Sequence, residues 1–262
     1  MRVLVFEDPE AAADAVAQEI IEALRRKPDL VLGLATGSTP LGVYARLIRA
    51  HEEGGLGFSR VSTFNLDEYL DLPPHHPQSY RSFMQEHFFR GVNIPPSQIH
   101  FPPTEGDDLL TECGRYENLI RERGGIDIHI LGIGSNGHIG FNEPTSSLAS
   151  RTRVKTLTDK TLRDNSRFYG PGEKQPHLAS TMGIGTILDS KKILLHAFGR
   201  EKADAVYAAV EGPISSFWPA SALQLHPNVT FYLDGESAAR LSLLEYYSRV
   251  AEDDRMLRER GA

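Results

Sequence analysis

The chain has 262 residues, 40% of them hydrophobic and 24% charged, and a net charge of −7. That is the balance of a globular protein, and a negative chain with no basic run argues against nucleic acid or an anionic membrane surface as a partner. The single cysteine, Cys113, excludes an internal disulfide and any zinc site built on two or four cysteines.

Residues 1–6 read as a short strand without signal-peptide architecture, and no apolar run reaches the roughly 18 residues of a membrane span. The expected location is the cytoplasm. Asp8-Pro9 caps a first helix whose Ala12, Val16, Ile20 and Leu24 form one apolar stripe. Residues 31–35 are a strand, and Thr39-Pro40 caps a helix with Leu41, Tyr44 and Ile48 on one face. Strands follow at 61–66, 126–131, 193–198 and 229–233. Helices are expected at 79–89, 109–123, 201–210 and 236–252. The alternation predicts one α/β domain over residues 1–262, a mostly parallel central sheet with helices on both faces. The polar stretch 145–176 is long for a plain loop, so a lid-like segment is placed at about 145–185, with a surface excursion as the alternative.

The densest chemistry lies in residues 132–144, Gly-Ile-Gly-Ser-Asn-Gly-His-Ile-Gly-Phe-Asn-Glu-Pro. A strand that runs into glycines brings backbone close to a ligand, and His138 and Glu143 supply proton-transfer groups beside it. Gly132, Gly134 and Gly137 satisfy G-x-G-x-x-G, and Asp159 stands at a plausible distance for a ribose contact. A dinucleotide site also needs a helix opening at these glycines, and the residues up to Pro144 leave little room for one.

Three further segments sit just past strands, where open parallel sheets bind ligands. Thr36-Gly37-Ser38-Thr39 before Pro40 is either an anion cradle at a helix N-terminus or an ordinary capped turn. Lys202, after Gly199, is either a ligand contact in the first turn of a helix or a solvated lysine. In Asn65-Leu66-Asp67-Glu68-Tyr69 the acids are either a general base or turn caps. Adjacent His75-His76 lacks the spacing of a metal pair and reads as loop. Arg151, Arg153, Lys155 and Arg167 are a solvated basic face or anion contacts.

Taken with Leu34–Pro40, Gly137–Pro144, Ser147–Arg153 and Leu223–Pro227, these stretches make the chain resemble the glucosamine-6-phosphate deaminases over nearly its whole length. The resemblance implies a Rossmann-like fold and a reaction without metal or redox cofactor, in which glucosamine 6-phosphate and water give fructose 6-phosphate and ammonia. It implies His138 as ring-opening base and Glu143 as the acid that orients it. Asp67 would move the proton from carbon 2 to carbon 1, with Glu68 setting up the same region. The phosphate would lie on Gly37, Ser38 and Thr39 with Arg167 and Lys202, and Thr36, Gly134 and Gly137 would complete the substrate-binding set. Asn136 stands where many members carry aspartate. An amide orients His138 but adds no charge, so activity with an altered pH profile is expected.

Some members are hexamers activated by N-acetylglucosamine 6-phosphate at subunit interfaces. Their effector contacts match Ser146, Arg153, Lys155 and Thr156, with a late tyrosine near Tyr246, which implies an allosteric homo-oligomer. Four alternatives stay open at this point. They are a galactosamine-6-phosphate deaminase, a 6-phosphogluconolactonase, a non-enzymatic sugar-phosphate sensor and a nicotinamide-dependent dehydrogenase.

Overall fold

The computed structural model describes residues 1–73, 75–158, 161–163 and 175–261. In chain order its elements are β1 (Arg2–Phe6), α1 (Pro9–Arg26), β2 (Val31–Leu34), α2 (Leu41–Glu52), β3 (Ser62–Asn65), β4 (Asp67–Tyr69), α3 (Tyr80–His87), β5 (Ile99–His100), α4 (Leu109–Glu122), β6 (Ile128–Leu131), β7 (Arg153–Thr156), β8 (Leu178–Thr181), α5 (Ile184–Leu188), β9 (Ile193–Ala197), α6 (Ala203–Val210), β10 (Val229–Asp234) and α7 (Leu244–Gly261). Seven strands form one sheet in the order β1-β10-β9-β6-β2-β3-β5, with every pairing parallel. The expected α/β architecture is present.

Both faces of the sheet are covered, as a parallel sheet requires. Leu32, Leu34, Ile128, Ile130, Leu194 and Tyr232 pack with the apolar stripe of α1 and with Val43, Tyr44 and Leu47 of α2. On the other face, Val31, Leu131, Ile193, Leu195 and Phe231 meet Tyr116 and Ile120 of α4, Ile187 of α5 and Val206 of α6. Each such aliphatic side chain stabilises the fold by about 1.5–3 kcal/mol through burial. Helix α1 starts where expected, because the Asp8 carboxylate accepts the Ala11 N–H at 2.7 Å and Pro9 opens the first turn.

Three local expectations change. Thr39 does not cap α2. Pro40 holds the N-cap position without a side-chain bond, and the fully buried face is Val43, Tyr44 and Leu47, with Ile48 only partly covered. Lys202 ends a 3₁₀ turn, Arg200–Lys202, and α6 begins after it. The last helix starts at Leu244 rather than 236. The Asp234 carboxylate accepts the N–H groups of Ser237 and Gly199, pinning residues 234–237 in a turn.

A second sheet has no clear signal in the sequence. It has the order β4-β8-β7, with both pairings antiparallel. After β3 the Leu66 N–H still bonds to the Leu34 carbonyl at 3.0 Å, and the chain then leaves the parallel sheet as β4. Asp67 faces Thr181 in the β4–β8 register. Tyr69, Phe141, Leu157 and Ala179 form the small apolar cluster there. The described parts of the 145–185 segment are thus anchored through β7 and β8.

Candidate active site

The strand order reverses around β2, which leads to β3 on one side and adjoins β6 on the other. Such a switch point opens a crevice at the carboxyl ends of the strands. A cavity of about 700 Å³ occupies that place. The loop after β2 lines it with Thr36, Gly37, Ser38 and Thr39, and the chain after β3 adds Asp67. The loop after β6 adds Gly134, Asn136 and His138, and Lys202 and Thr161 also line the cavity. Folding therefore brings together residues that span most of the chain.

Gly37 has φ +99°, a backbone conformation that costs glycine little, and this lets the loop turn its hydroxyls and N–H groups along the wall. Tyr80 hydrogen-bonds Thr36 and contacts the Tyr69 hydroxyl at 3.3 Å, which ties this loop to β4 and α3.

The loop after β6 carries an ordered set of polar groups. Asn136 Nδ2 donates to Glu143 Oε2 at 2.8 Å, and Asn136 Oδ1 lies 2.7 Å from His138 Nδ1. A carboxylate only accepts, so the amide must turn its NH₂ toward Glu143 and its oxygen toward the ring. The ring must then carry its proton on Nδ1. Nε2 is left as the basic nitrogen of the neutral imidazole. Glu143 is buried, and its Oε2 is 3.7 Å from His138 Nδ1. The charge that Asn136 lacks thus stands on Glu143, seven positions on and hydrogen-bonded to the amide. A Cβ at Gly134 would sit 2.2 Å from His138 Cε1, so the imidazole position depends on glycine there. No helix opens at Gly132, Gly134 or Gly137; Gly134 N–H bonds instead to the His138 carbonyl at 2.9 Å. The feature that would hold a pyrophosphate is missing, and Asp159 lies outside the described residues.

Asp67 is buried, and its pKa is pushed up to about 8, first by desolvation and then by the neighbouring Glu68 charge. Glu68 turns away from the cavity. Its carboxylate accepts the N–H groups of Tyr69, Tyr80 and Arg81 at 2.8–2.9 Å and so holds the start of α3. Burial raises the Glu68 pKa, and those three bonds oppose the rise.

The remaining expected residues fall elsewhere. Gly137 lies behind the lining, where a Cβ would come 2.7 Å from Trp218 Cε3. Arg167 lies outside the described residues. Ser146 is buried, and its hydroxyl has no hydrogen-bond partner among the described residues. Arg153, Lys155 and Thr156 share β7, and Arg153 donates to Asn142 Oδ1 at 2.9 Å. Tyr246 is exposed on α7, which packs on β1, so within one chain it does not join that group. Among the described residues, no three His, Cys, Asp or Glu side chains converge as metal ligands, and no helix is long and apolar enough to cross a membrane. Thr161 was not anticipated. Its hydroxyl donates to Glu143 Oε1, and no local pattern marks a threonine 18 positions away as that partner.

An open parallel sheet with a paired histidine and carboxylate at its switch point, facing a hydroxyl-rich loop, has the form of an α/β enzyme with a small-molecule cavity. Residues 7–232 match the family described as glucosamine-6-phosphate isomerases/6-phosphogluconolactonase, and the chain belongs to that family. Within it the chain is an enzyme of the glucosamine-6-phosphate deaminase kind. It is 55% identical to the glucosamine-6-phosphate deaminase of Hahella chejuensis over 262 residues, covering 100% of this chain and 99% of the relative. Identity to the enzyme of that name from Shewanella loihica is 52% over 262 residues, covering 100% and 98%. A solved structure of a monomeric glucosamine-6-phosphate deaminase superimposes with a TM-score of 0.88 at 46% identity, covering 91% of this chain and 99% of the other. The 6-phosphogluconolactonase of Trypanosoma brucei shares the fold, with a TM-score of 0.74 at 21% identity and coverage of 92% and 98%.

Proposed function

We propose that this protein converts glucosamine 6-phosphate and water into fructose 6-phosphate and ammonia. The observation that carries the reading is the ordered group Glu143, Asn136 and His138, which shares one cavity with the buried Asp67. Ring opening moves a proton from the anomeric hydroxyl to the ring oxygen. His138 Nε2 takes that proton, and the imidazolium is stabilised by the Glu143 carboxylate behind it. Asp67 then removes the proton from carbon 2 and returns one to carbon 1. A carboxyl with a pKa near 8 is poorly ionised at neutral pH, but the substrate ammonium beside it favours the ionised form. Water then replaces nitrogen at carbon 2 and ammonia leaves. The phosphate lies along Gly37, Ser38 and Thr39 with Lys202, where charge-assisted bonds are strongest. Arg167 joins them, and Thr36, Gly134 and Gly137 shape the sugar site. A proton shuttle at carbon 2 has no counterpart in lactone hydrolysis, which favours the deaminase over the lactonase.

The regulatory reading is that N-acetylglucosamine 6-phosphate activates the enzyme by binding Ser146, Arg153, Lys155 and Thr156. Two observations support it. Arg153 holds Asn142, the neighbour of Glu143, and the Ser146 hydroxyl is unpartnered among the described residues. Tyr246 would then come from a second copy, in a cytoplasmic hexamer. The monomeric solved relative is the counter-case. Release of ammonia and fructose 6-phosphate, assayed with and without N-acetylglucosamine 6-phosphate, tests both parts. Stoichiometric release supports the reaction, and a lower half-saturation with the effector supports the regulation. A monomer on sizing, with an unchanged saturation curve, rules the regulation out.

A further inference from the structure

Glu143 is held from two directions. Asn136 Nδ2 donates to Oε2, and Thr161 Oγ1 donates to Oε1. Thr161 is itself buried. Thr158 Oγ1 lies 3.2 Å from Thr161 Oγ1 and accepts the Thr161 N–H at 3.3 Å, while the Thr158 carbonyl accepts the Leu162 N–H at 2.9 Å. A hydroxyl has one proton. Because the carboxylate can only accept, the Thr161 proton goes to Glu143, and the Thr158 proton goes to the Thr161 oxygen. The direction of every bond from Thr158 to Glu143 is therefore set, and on the other side Asn136 donates to the same carboxylate and accepts from the ring, so both arms donate toward Glu143.

We propose that Thr161 is a positioning residue for His138, acting through Glu143 and Asn136; its catalytic consequence rests on the reading given above. Without the Thr161 hydroxyl, one oxygen of a buried carboxylate loses its only direct side-chain donor among the described residues. The carboxyl is then free to rotate away from the position in which Oε2 accepts from Asn136 Nδ2. Released from Glu143, the amide can turn over, giving up the bond that Asn136 Oδ1 accepts from the His138 N–H at 3.2 Å. The amide then presents NH₂ to His138 Nδ1, the ring must carry its proton on Nε2, and the basic nitrogen no longer faces the reaction. A hydroxyl on one segment thereby selects the tautomer of a ring on another.

The test is ¹⁵N NMR of the histidine rings at a pH where His138 is neutral, with its signals assigned by their loss in His138→Gln. Wild type is expected to show the Nδ1–H tautomer. Thr161→Val is expected to populate the Nε2–H form and to lower kcat/KM by about ten- to a hundred-fold, the span of one charge-assisted hydrogen bond, mainly through kcat. Thr161→Ser restores the hydroxyl and is expected to keep both the tautomer and the rate. An unshifted tautomer in folded Thr161→Val overturns the inference whatever the turnover. Should that variant not fold, Thr161→Ala, which also lacks the hydroxyl, carries the test, with the same shift expected and an unshifted tautomer overturning the proposal. If wild type releases no ammonia, the proposed reaction fails on its own, while the tautomer comparison still decides the role of Thr161.

Discussion

Asp67 is where stability and chemistry pull apart. Its folded pKa of about 8 lies above the ordinary 3.8, so the folded state holds a proton that the unfolded state has lost across that window. The sign follows directly. The contribution to stability is fully present below pH 3.8 and is lost as pH rises through about 8. Asp67→Asn should therefore raise the unfolding free energy at pH 8.5 by on the order of a few kcal/mol and leave it unchanged near pH 3.5. The same variant should cut turnover by about 10²–10⁴-fold, the usual worth of a positioned base. Denaturant titrations at the two pH values check the first expectation, and steady-state rates check the second. At Asn136 the expectation concerns a pH profile. Asn136→Asp adds a negative charge beside a ring already facing Glu143 at 3.7 Å. The imidazole pKa should rise, and the limb of kcat/KM that reports it should move to higher pH. Superimposable profiles for the two proteins would exclude this. His138, Asn136 and Glu143 were legible in sequence because they sit within eight residues of one loop. The direction of their hydrogen bonds was not, since it follows from side-chain geometry.

Elements act here mainly as holders of loops. Helix α3 is anchored by a side chain from another element, because Glu68 of β4 takes the Tyr80 and Arg81 N–H groups. Unmade bonds at a helix start are costly, so Glu68→Ala should destabilise the fold by about 1–3 kcal/mol and loosen the Tyr80 wall of the cavity. Glu68→Gln keeps one acceptor oxygen, enough for the Tyr69 and Tyr80 N–H groups but not for that of Arg81, and should cost less. It also removes the charge that helps to raise the Asp67 pKa, so the limb of the pH–rate profile owed to Asp67 should move to lower pH. Urea titrations of both variants with a pH–rate profile of Glu68→Gln decide this. The long elements were legible because caps and apolar stripes are local. The β4-β8-β7 sheet was not. Its strands have only three or four residues each, and β7 carries Arg153, Lys155 and Thr156 rather than an apolar alternation. What defines those strands is their pairing with distant partners.

For the whole molecule, the sheet interior contributes to the response to acid. His129 and His196 are fully buried, and desolvation lowers their pKa from 6.5 to about 3 and about 4. His129 also feels the nearby His226. A lowered folded pKa means that the unfolded chain binds protons first, so stability is lost as pH falls below about 6.5. Each such histidine contributes a slope of about 1.4 kcal/mol per pH unit until its folded pKa is approached. Neither ring nitrogen of His196 has a hydrogen-bond partner among the described residues, so His196→Leu removes a titration without breaking a bond. The unfolding free energy of that variant should fall less steeply between pH 6.5 and about 4 than that of wild type, by one such slope. Equal slopes would show that His196 binds its proton alike in the folded and unfolded states.

Taken alone, the sequence determined the α/β architecture, the order of the long helices and strands and the loops that line the cavity. These depend on caps, apolar stripes and glycine-bearing turns, all encoded within a few neighbouring residues. Only the tertiary structure decided that Glu68 holds a helix rather than facing the cavity, that Asn136 passes the Glu143 charge toward His138, and that Thr161 closes the far side of that carboxylate. Those outcomes turn on side chains that meet across long stretches of chain. Burial and the single proton of each hydroxyl, not proximity in sequence, select the partner.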